Sequence, residues 1–129
     1  AGPGRDQDLP DIPAQAGQIR QVTLNLLINA VEAMPEGGRL TVSTVYEREA
    51  REMMLSVTDT GTGIPSAILP FIFDPFVTNK TRGTGIGLTI SHDIVVKHRG
   101  RIAAENNPDG PGATFKVWLP VEPIHRENI

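Results

Sequence analysis

Gln21, Asn25, Asn29 and Glu32 are separated by four, four and three residues, so at 3.6 residues per turn they share one stripe of a helix. Taken alone, such a stripe reads as the solvated face of an amphipathic helix. Asn, however, is a mediocre helix former, and a solvated face favours Glu, Lys, Arg and Gln. Here two Asn lie one turn apart inside the most apolar segment of the chain. An amide left unpaired there would cost about 1–3 kcal/mol. An amide carbonyl is also a hard oxygen that ligates Mg²⁺ without adding charge, and Mg²⁺ commonly joins a few protein oxygens to substrate phosphates.

A second group, Asp59-Thr60-Gly61-Thr62-Gly63-Ile64, directly follows a strand-like segment. The simpler reading is an Asp-Gly turn. Glycine also lets backbone approach a ligand closely, and a carboxylate at a strand end can accept a hydrogen bond from an exocyclic amine such as that of adenine. The third group, Gly83-Thr84-Gly85-Ile86-Gly87-Leu88, opens a helix pattern. It suits either a flexible loop or a phosphate site, since a helix N-terminus offers free N–H groups and partial positive charge. Lys80 and Arg82 precede it and could add positive charge. Neither the dinucleotide fingerprint nor the P-loop spacing is present.

The elements that must position these groups follow from periodicity. Ile19, Val22, Leu26, Ala30 and Ala33 recur at helical spacing from Gln18, with Leu24, Leu27, Ile28 and Val31 widening the apolar surface, and Pro35-Glu36-Gly37-Gly38 stops the helix. Residues 40–46 alternate as a strand, residues 47–52 turn the chain, and residues 53–58 form a second strand, together an antiparallel hairpin. Residues 59–87 read as irregular apart from an apolar patch at 68–76, and a loop of that length inside a compact domain is usually functional or disordered. Leu88, Ile90, Ile94 and Val95 mark a second helix ending near residues 98–100. Residues 101–105 and 113–119 make a last strand pair, with Phe115, Val117 and Leu119 on one face and Thr114, Lys116 and Trp118 on the other. This order suits an α/β sandwich with helices on one face of a mainly antiparallel sheet.

Composition narrows the function classes. The chain has 129 residues, 39% apolar and 21% charged, which fits one domain with one core. A net charge of −3 supplies no global positive field, so nucleic acid is a poor first partner. Cys is absent, which removes disulfides, thiolate metal sites and a Cys nucleophile, and is compatible with a reducing compartment. No apolar run approaches the roughly 18 residues of a membrane span, and the start lacks a signal-peptide core. Residues 1–17 read as a linker or an extraneous remnant, residues 18–122 as the folded domain, and residues 123–129 as a C-terminal tail.

The asparagine pair, DxGxG and GxGxG in that order resemble the ATP-binding catalytic domain of sensor histidine kinases, within the GHKL superfamily that includes DNA gyrase and heat-shock chaperones. Gln21-Val22-Thr23-Leu24-Asn25-Leu26-Leu27-Ile28-Asn29-Ala30 is similar to the N box and residues 59–63 to the G1 box. Phe71-Ile72-Phe73-Asp74-Pro75-Phe76 is similar to the F box, residues 83–88 to the G2 box, and Gly112-Ala113-Thr114-Phe115 to the closing motif.

The resemblance implies a two-layer α/β sandwich of the Bergerat type with a mobile ATP lid over residues 71–83, anchored by its phenylalanines. By carry-over, Asn29 would bind Mg²⁺, Asn25 would lie beside the phosphates, and Lys80 would be the cationic side chain. Asp59 would accept from the adenine amine with Thr114 in support, and Gly61, Gly63 and Ile64 would shape the nucleotide wall. Thr78, Gly83, Thr84, Gly85, Ile86, Gly87 and Leu88 would complete the ATP contacts. Superfamily members that hydrolyse ATP carry a Glu where Asn25 stands, and an amide has no useful basicity. The resemblance therefore favours transfer of the γ-phosphoryl to a histidine on a separate dimerisation domain, with a response regulator downstream. The alternatives are a free-standing ATPase and a regulatory nucleotide-binding module without turnover. His92, His98 and His125 read better as structural or tail residues than as acceptors. Arg99 stands where many relatives carry a Gly, a departure that bears on the turn there. A monomeric, cytoplasmic domain without direct membrane contact is expected.

Overall fold

The computed structural model describes residues 16–74 and 85–121, with backbone only for 85–87. Its order is α1 (Ala16–Glu32), β1 (Leu40–Glu47), β2 (Glu52–Asp59), a short 3₁₀ turn (Leu69–Phe71), α2 (Gly85–Lys97), β3 (Arg101–Asn106) and β4 (Ala113–Pro120). The strands form one sheet in the order β1-β2-β4-β3, and every pairing is antiparallel. The two helices pack side by side, α1 over β2 and α2 over β3 and β4. The expected sandwich is what the described residues form, with each strand within one residue of the span its alternation marks.

Period-2 patterning decides which face of the sheet is buried. On β4, Ala113, Phe115, Val117 and Leu119 are buried while their neighbours are only half-buried. They meet Val22, Leu26 and Ala30 of α1 and Leu88, Ile94 and Val95 of α2 in one core. Because the register sets Val57 opposite Phe115, the next residue on that face is Asp59, which the fold carries into the interior at 0% exposure. β1 lies beyond the helices and is exposed along its whole length.

Two local findings qualify the sequence reading. Leu24, Ile28 and Val31 belong to the outer face of α1 and remain exposed, so the broad apolar surface of this helix is only partly core. Arg99 takes a left-handed φ of +65° just past α2, and Gly100 N–H donates to Val95 O at 2.8 Å while Arg99 N–H donates to Val96 O at 2.9 Å. That is a Schellman ending with Arg at the position glycine usually fills. His98 closes the same turn through Nδ1–H to Ile94 O at 2.7 Å, and His92 sits against Phe73 with ring centroids 5.7 Å apart. Both are structural roles, as expected; His125 lies outside the described residues.

Candidate nucleotide site

The site is built where the C-terminal ends of α1 and β2 meet the 59–64 loop and the start of β4. Asp59 ends β2, and its Oδ1 accepts Gly61 N–H at 2.9 Å and Ala113 N–H at 3.3 Å. A buried carboxylate that accepts two backbone donors is fixed in orientation. Asn29, on α1, is also buried, at 5% exposure. One turn earlier Asn25 is half-buried and donates Nδ2–H to Ser91 Oγ of α2 at 3.3 Å, while Gln21 and Glu32 are exposed. The polar stripe thus faces solvent at its ends and the interior in its middle, which a purely solvated face would not do.

The loop itself is held residue by residue. Thr60 Oγ1 accepts Arg39 N–H at 2.9 Å, and Thr62 N–H donates to Ala33 O at 3.1 Å. Gly61 passes so close to α1 that a Cβ would lie 2.1 Å from Ala33 O. Gly112, at φ +97°, runs against Asp59, where a Cβ would lie 2.0 Å from its carbonyl oxygen. Glycine is required at both positions by the protein's own packing. Ile64 is buried at the end of the loop and Leu88 in α2, both in the core cluster.

Thr114 is the residue the sequence reading put in a different place. Its hydroxyl lies 2.9 Å from Thr58 Oγ1 and donates to Asn107 Oδ1 at 2.7 Å. Thr58 and Thr114 are register partners, one step out of phase with Asp59, so they belong to the face of the sheet without helices. The residue beside the carboxylate is Ala113, through its N–H. Phe71 is a second departure: it is 52% exposed, and the anchoring of this segment falls to buried Ile72 and to Phe73, whose ring meets Phe115 edge-on at 6.2 Å. Thr78, Lys80, Gly83 and Thr84 lie outside the described residues, as does Phe76. Gly85, Ile86 and Gly87 form the first turn of α2, where leading N–H groups lack helical partners.

Three residues that sequence reasoning passed over hold this arrangement. Ser91, fully buried, receives Asn25. Asn106 accepts Ile64 N–H at 2.7 Å and donates to Ile64 O at 2.8 Å. Asn107 donates to Asp59 O and to Pro111 O, both at 2.8 Å. A cleft of about 380 Å³ opens beside them, lined by Gly63, Ile64, Pro65, Asn106, Pro111 and Gly112 among others. Among the described residues no cluster of three or more His, Cys, Asp or Glu could cage a metal, and no helix is long and apolar enough to cross a membrane.

Residues 14–123 match the family model of histidine kinase-, DNA gyrase B-, and HSP90-like ATPases. The chain is 41% identical over 113 residues to the sensor histidine kinase ZraS of Escherichia coli K12, which covers 88% of this chain and 24% of that protein. It is 39% identical over 114 residues to sporulation kinase E of Bacillus subtilis, covering 88% of this chain and 15% of the relative. It thus spans about a quarter or less of the curated relatives it matches. Among solved structures, the mycobacterial sensor histidine kinase MprB superposes with a TM-score of 0.78 at 28% identity, over 88% of this chain and 78% of that one. The catalytic domain of histidine kinase ThkA gives 0.72 at 35% identity, over 85% and 71%. Full-length ShkA in complex with AMPPNP gives 0.75 at 31%, over 89% and 24%. With a family match over residues 14–123 and relatives of this identity, the chain belongs to the histidine kinase-, DNA gyrase B-, and HSP90-like ATPases and is similar to the catalytic domains of sensor histidine kinases.

Proposed function

We propose that this domain binds Mg²⁺-ATP and supplies its γ-phosphoryl group to a histidine on a separate dimerisation domain of the same parent kinase, from which a response regulator would be charged. The observation that carries the reading is Asp59: a carboxylate at 0% exposure, fixed by Gly61 and Ala113, within a chain whose family binds and turns over ATP. Asp59 accepts from the adenine amine in this reading, and the residue beside it is Ala113, where the motif likeness implied Thr114.

Asn29 fits the metal role by its chemistry. It carries a buried, uncharged, hard oxygen, the kind of donor that joins Mg²⁺ alongside substrate phosphates and water. Bound there, Mg²⁺ would offset the charge of the β- and γ-phosphates. Lys80, Thr78 and the 83–88 segment are proposed to close over the triphosphate.

The reaction is an in-line displacement in which the acceptor imidazole nitrogen forms the new P–N bond as the bond from the γ-phosphorus to the ADP oxygen breaks. Asn25 shapes the outcome by what it lacks. Its amide abstracts no proton, and its Nδ2–H is directed to Ser91, so water in the site meets no base from this position of α1. Positioning and charge stabilisation carry the rate, which favours a pre-aligned protein nucleophile over solvent. The reading places the domain in the cytoplasm, with ATP, and as a monomer apart from its parent.

The test is incubation with γ-labelled ATP, with and without the parent's histidine-bearing helical domain. Label on that domain only when both are present is the expected result. Steady phosphate release by the 129-residue chain alone would make it an ATPase, and binding without transfer or release would make it a regulatory module.

A further inference from the structure

We propose that Asn106 and Asn107, adjacent at the end of β3, are positioning residues for purine recognition: they clamp both ends of the 59–64 loop and so set the aim of Asp59. The inference rests on the reading of Asp59 as the adenine acceptor and adds the device that makes that acceptor selective.

The Asn106 amide meets one residue with both of its groups. Oδ1 accepts Ile64 N–H at 2.7 Å and Nδ2 donates to Ile64 O at 2.8 Å. A planar amide presents its donor and acceptor side by side, so it pairs with a residue's backbone much as a neighbouring strand would. Asp would set a second acceptor against Ile64 O, and Ser lacks the reach to serve both atoms. Gly63 makes room for the clamp: it sits at φ +75°, and a Cβ there would lie 3.1 Å from Asn106 Oδ1. The second glycine of the DxGxG group is therefore explained by a protein contact as well as by any ligand.

Asn107 does the same at the other end. Its Nδ2 bridges Asp59 O and Pro111 O, its Oδ1 receives the Thr114 hydroxyl, and its N–H donates to Gly112 O at 2.9 Å. Gly112 in turn lies against Asp59 O, and the next N–H, of Ala113, reaches the Asp59 carboxylate. One dipeptide thus fixes the residue that reads the base and the residue that ends the loop. A purine amine is selected only if the carboxylate oxygen is held to within roughly 0.5 Å. Loosening the loop should therefore cost discrimination ahead of folding.

The experiment compares binding of ATP and of purine riboside triphosphate, which lacks the 6-amino group, by calorimetry on the wild-type chain and on Asn106→Ala, Asn106→Asp, Asn107→Ala and Asp59→Asn. Thermal unfolding of each variant confirms the folded state. The wild type should prefer ATP by about tenfold or more, the value of a hydrogen bond to a charged group. Asn106→Ala and the nearly isosteric Asn106→Asp should each reduce that preference to about twofold while binding of the amine-free analogue changes little. Retention of the full preference by folded Asn106 variants overturns the proposal, as does failure of both variants to fold, which would make the clamp a folding element. If Asp59→Asn also keeps the preference, the reading of Asp59 itself falls. If Asp59→Asn loses it while the Asn106 variants keep it, only the clamp falls.

Discussion

Residues 59–64 and 65–74 are consecutive, lack long regular structure, and are held by different physics. The first stretch is tied by polar bonds to the end of α1, to Arg39 before β1, to the Asn106-Asn107 pair and to Ala113 at the start of β4. The second bonds mainly within itself, through Ile68 and Leu69 N–H to Pro65 O, Phe71 N–H to Ile68 O and Asp74 N–H to Phe71 O. What attaches it to the domain is mainly apolar, Ile72 in the core with Ile68, Leu69 and Phe73 packed against it, beside one long bond from the Thr89 hydroxyl to Phe73 O at 3.4 Å. Directional bonds specify position closely, whereas apolar burial specifies attachment and tolerates small shifts. The difference fits the work proposed for each, since a base-reading loop needs accuracy and the root of a lid needs adhesion.

Substitutions separate the two modes. The largest change is expected from Ile72→Ala, which removes a side chain at 4% exposure. By the usual cost of emptying a core site, it should lower unfolding free energy by about 2–5 kcal/mol in urea melts, yet leave the preference for ATP over its amine-free analogue intact. Asp59→Asn should do the reverse. The fold should survive a near-isosteric change, while ATP affinity measured by calorimetry should fall by about tenfold to a hundredfold, the worth of a charged hydrogen bond. Were Ile72→Ala to erase selectivity, or Asp59→Asn mainly to unfold the chain, the division between the stretches would be lost.

Asn29→Ala should come next in size. It should reduce the gain in ATP affinity on adding Mg²⁺ by about tenfold, and an unchanged Mg²⁺ titration would remove the metal role. The smallest effect is expected from Thr114→Val. Its hydroxyl belongs to Thr58 and Asn107 on the far face of the sheet, so ATP affinity should shift by about twofold at most. A loss as large as that of Asp59→Asn would return Thr114 to the base.

Much of this molecule was readable in its residue order, because amphipathic periods leave a direct mark. The alternation of β4 foretold which side chains are buried, and the stop at residues 35–38 foretold the end of α1. The same alternation already set Thr114 apart from Phe115; the motif likeness drew Thr114 toward the carboxylate against that parity. Other features depend on contacts between residues far apart in sequence. Asn106 and Ile64 are separated by 42 positions, and Asn106-Asn107-Pro108-Asp109-Gly110 reads by itself as an ordinary turn. Nor does a helix apolar on most sides declare which part will face outward, so Leu24, Ile28 and Val31 offered no sign of their exposure.

The central claim is that nucleotide settles where α1, the 59–64 loop and the start of β4 converge. Backbone amide shifts recorded by NMR during titration of the 129-residue chain with Mg²⁺-ATP test it most directly. Nucleotide bound there should give the largest displacements at Asn29, Gly61, Gly63 and Ala113. Displacements confined to the opposite face of the sheet, at Ser43, Ser56 and Lys116, with those four amides unmoved, would contradict it.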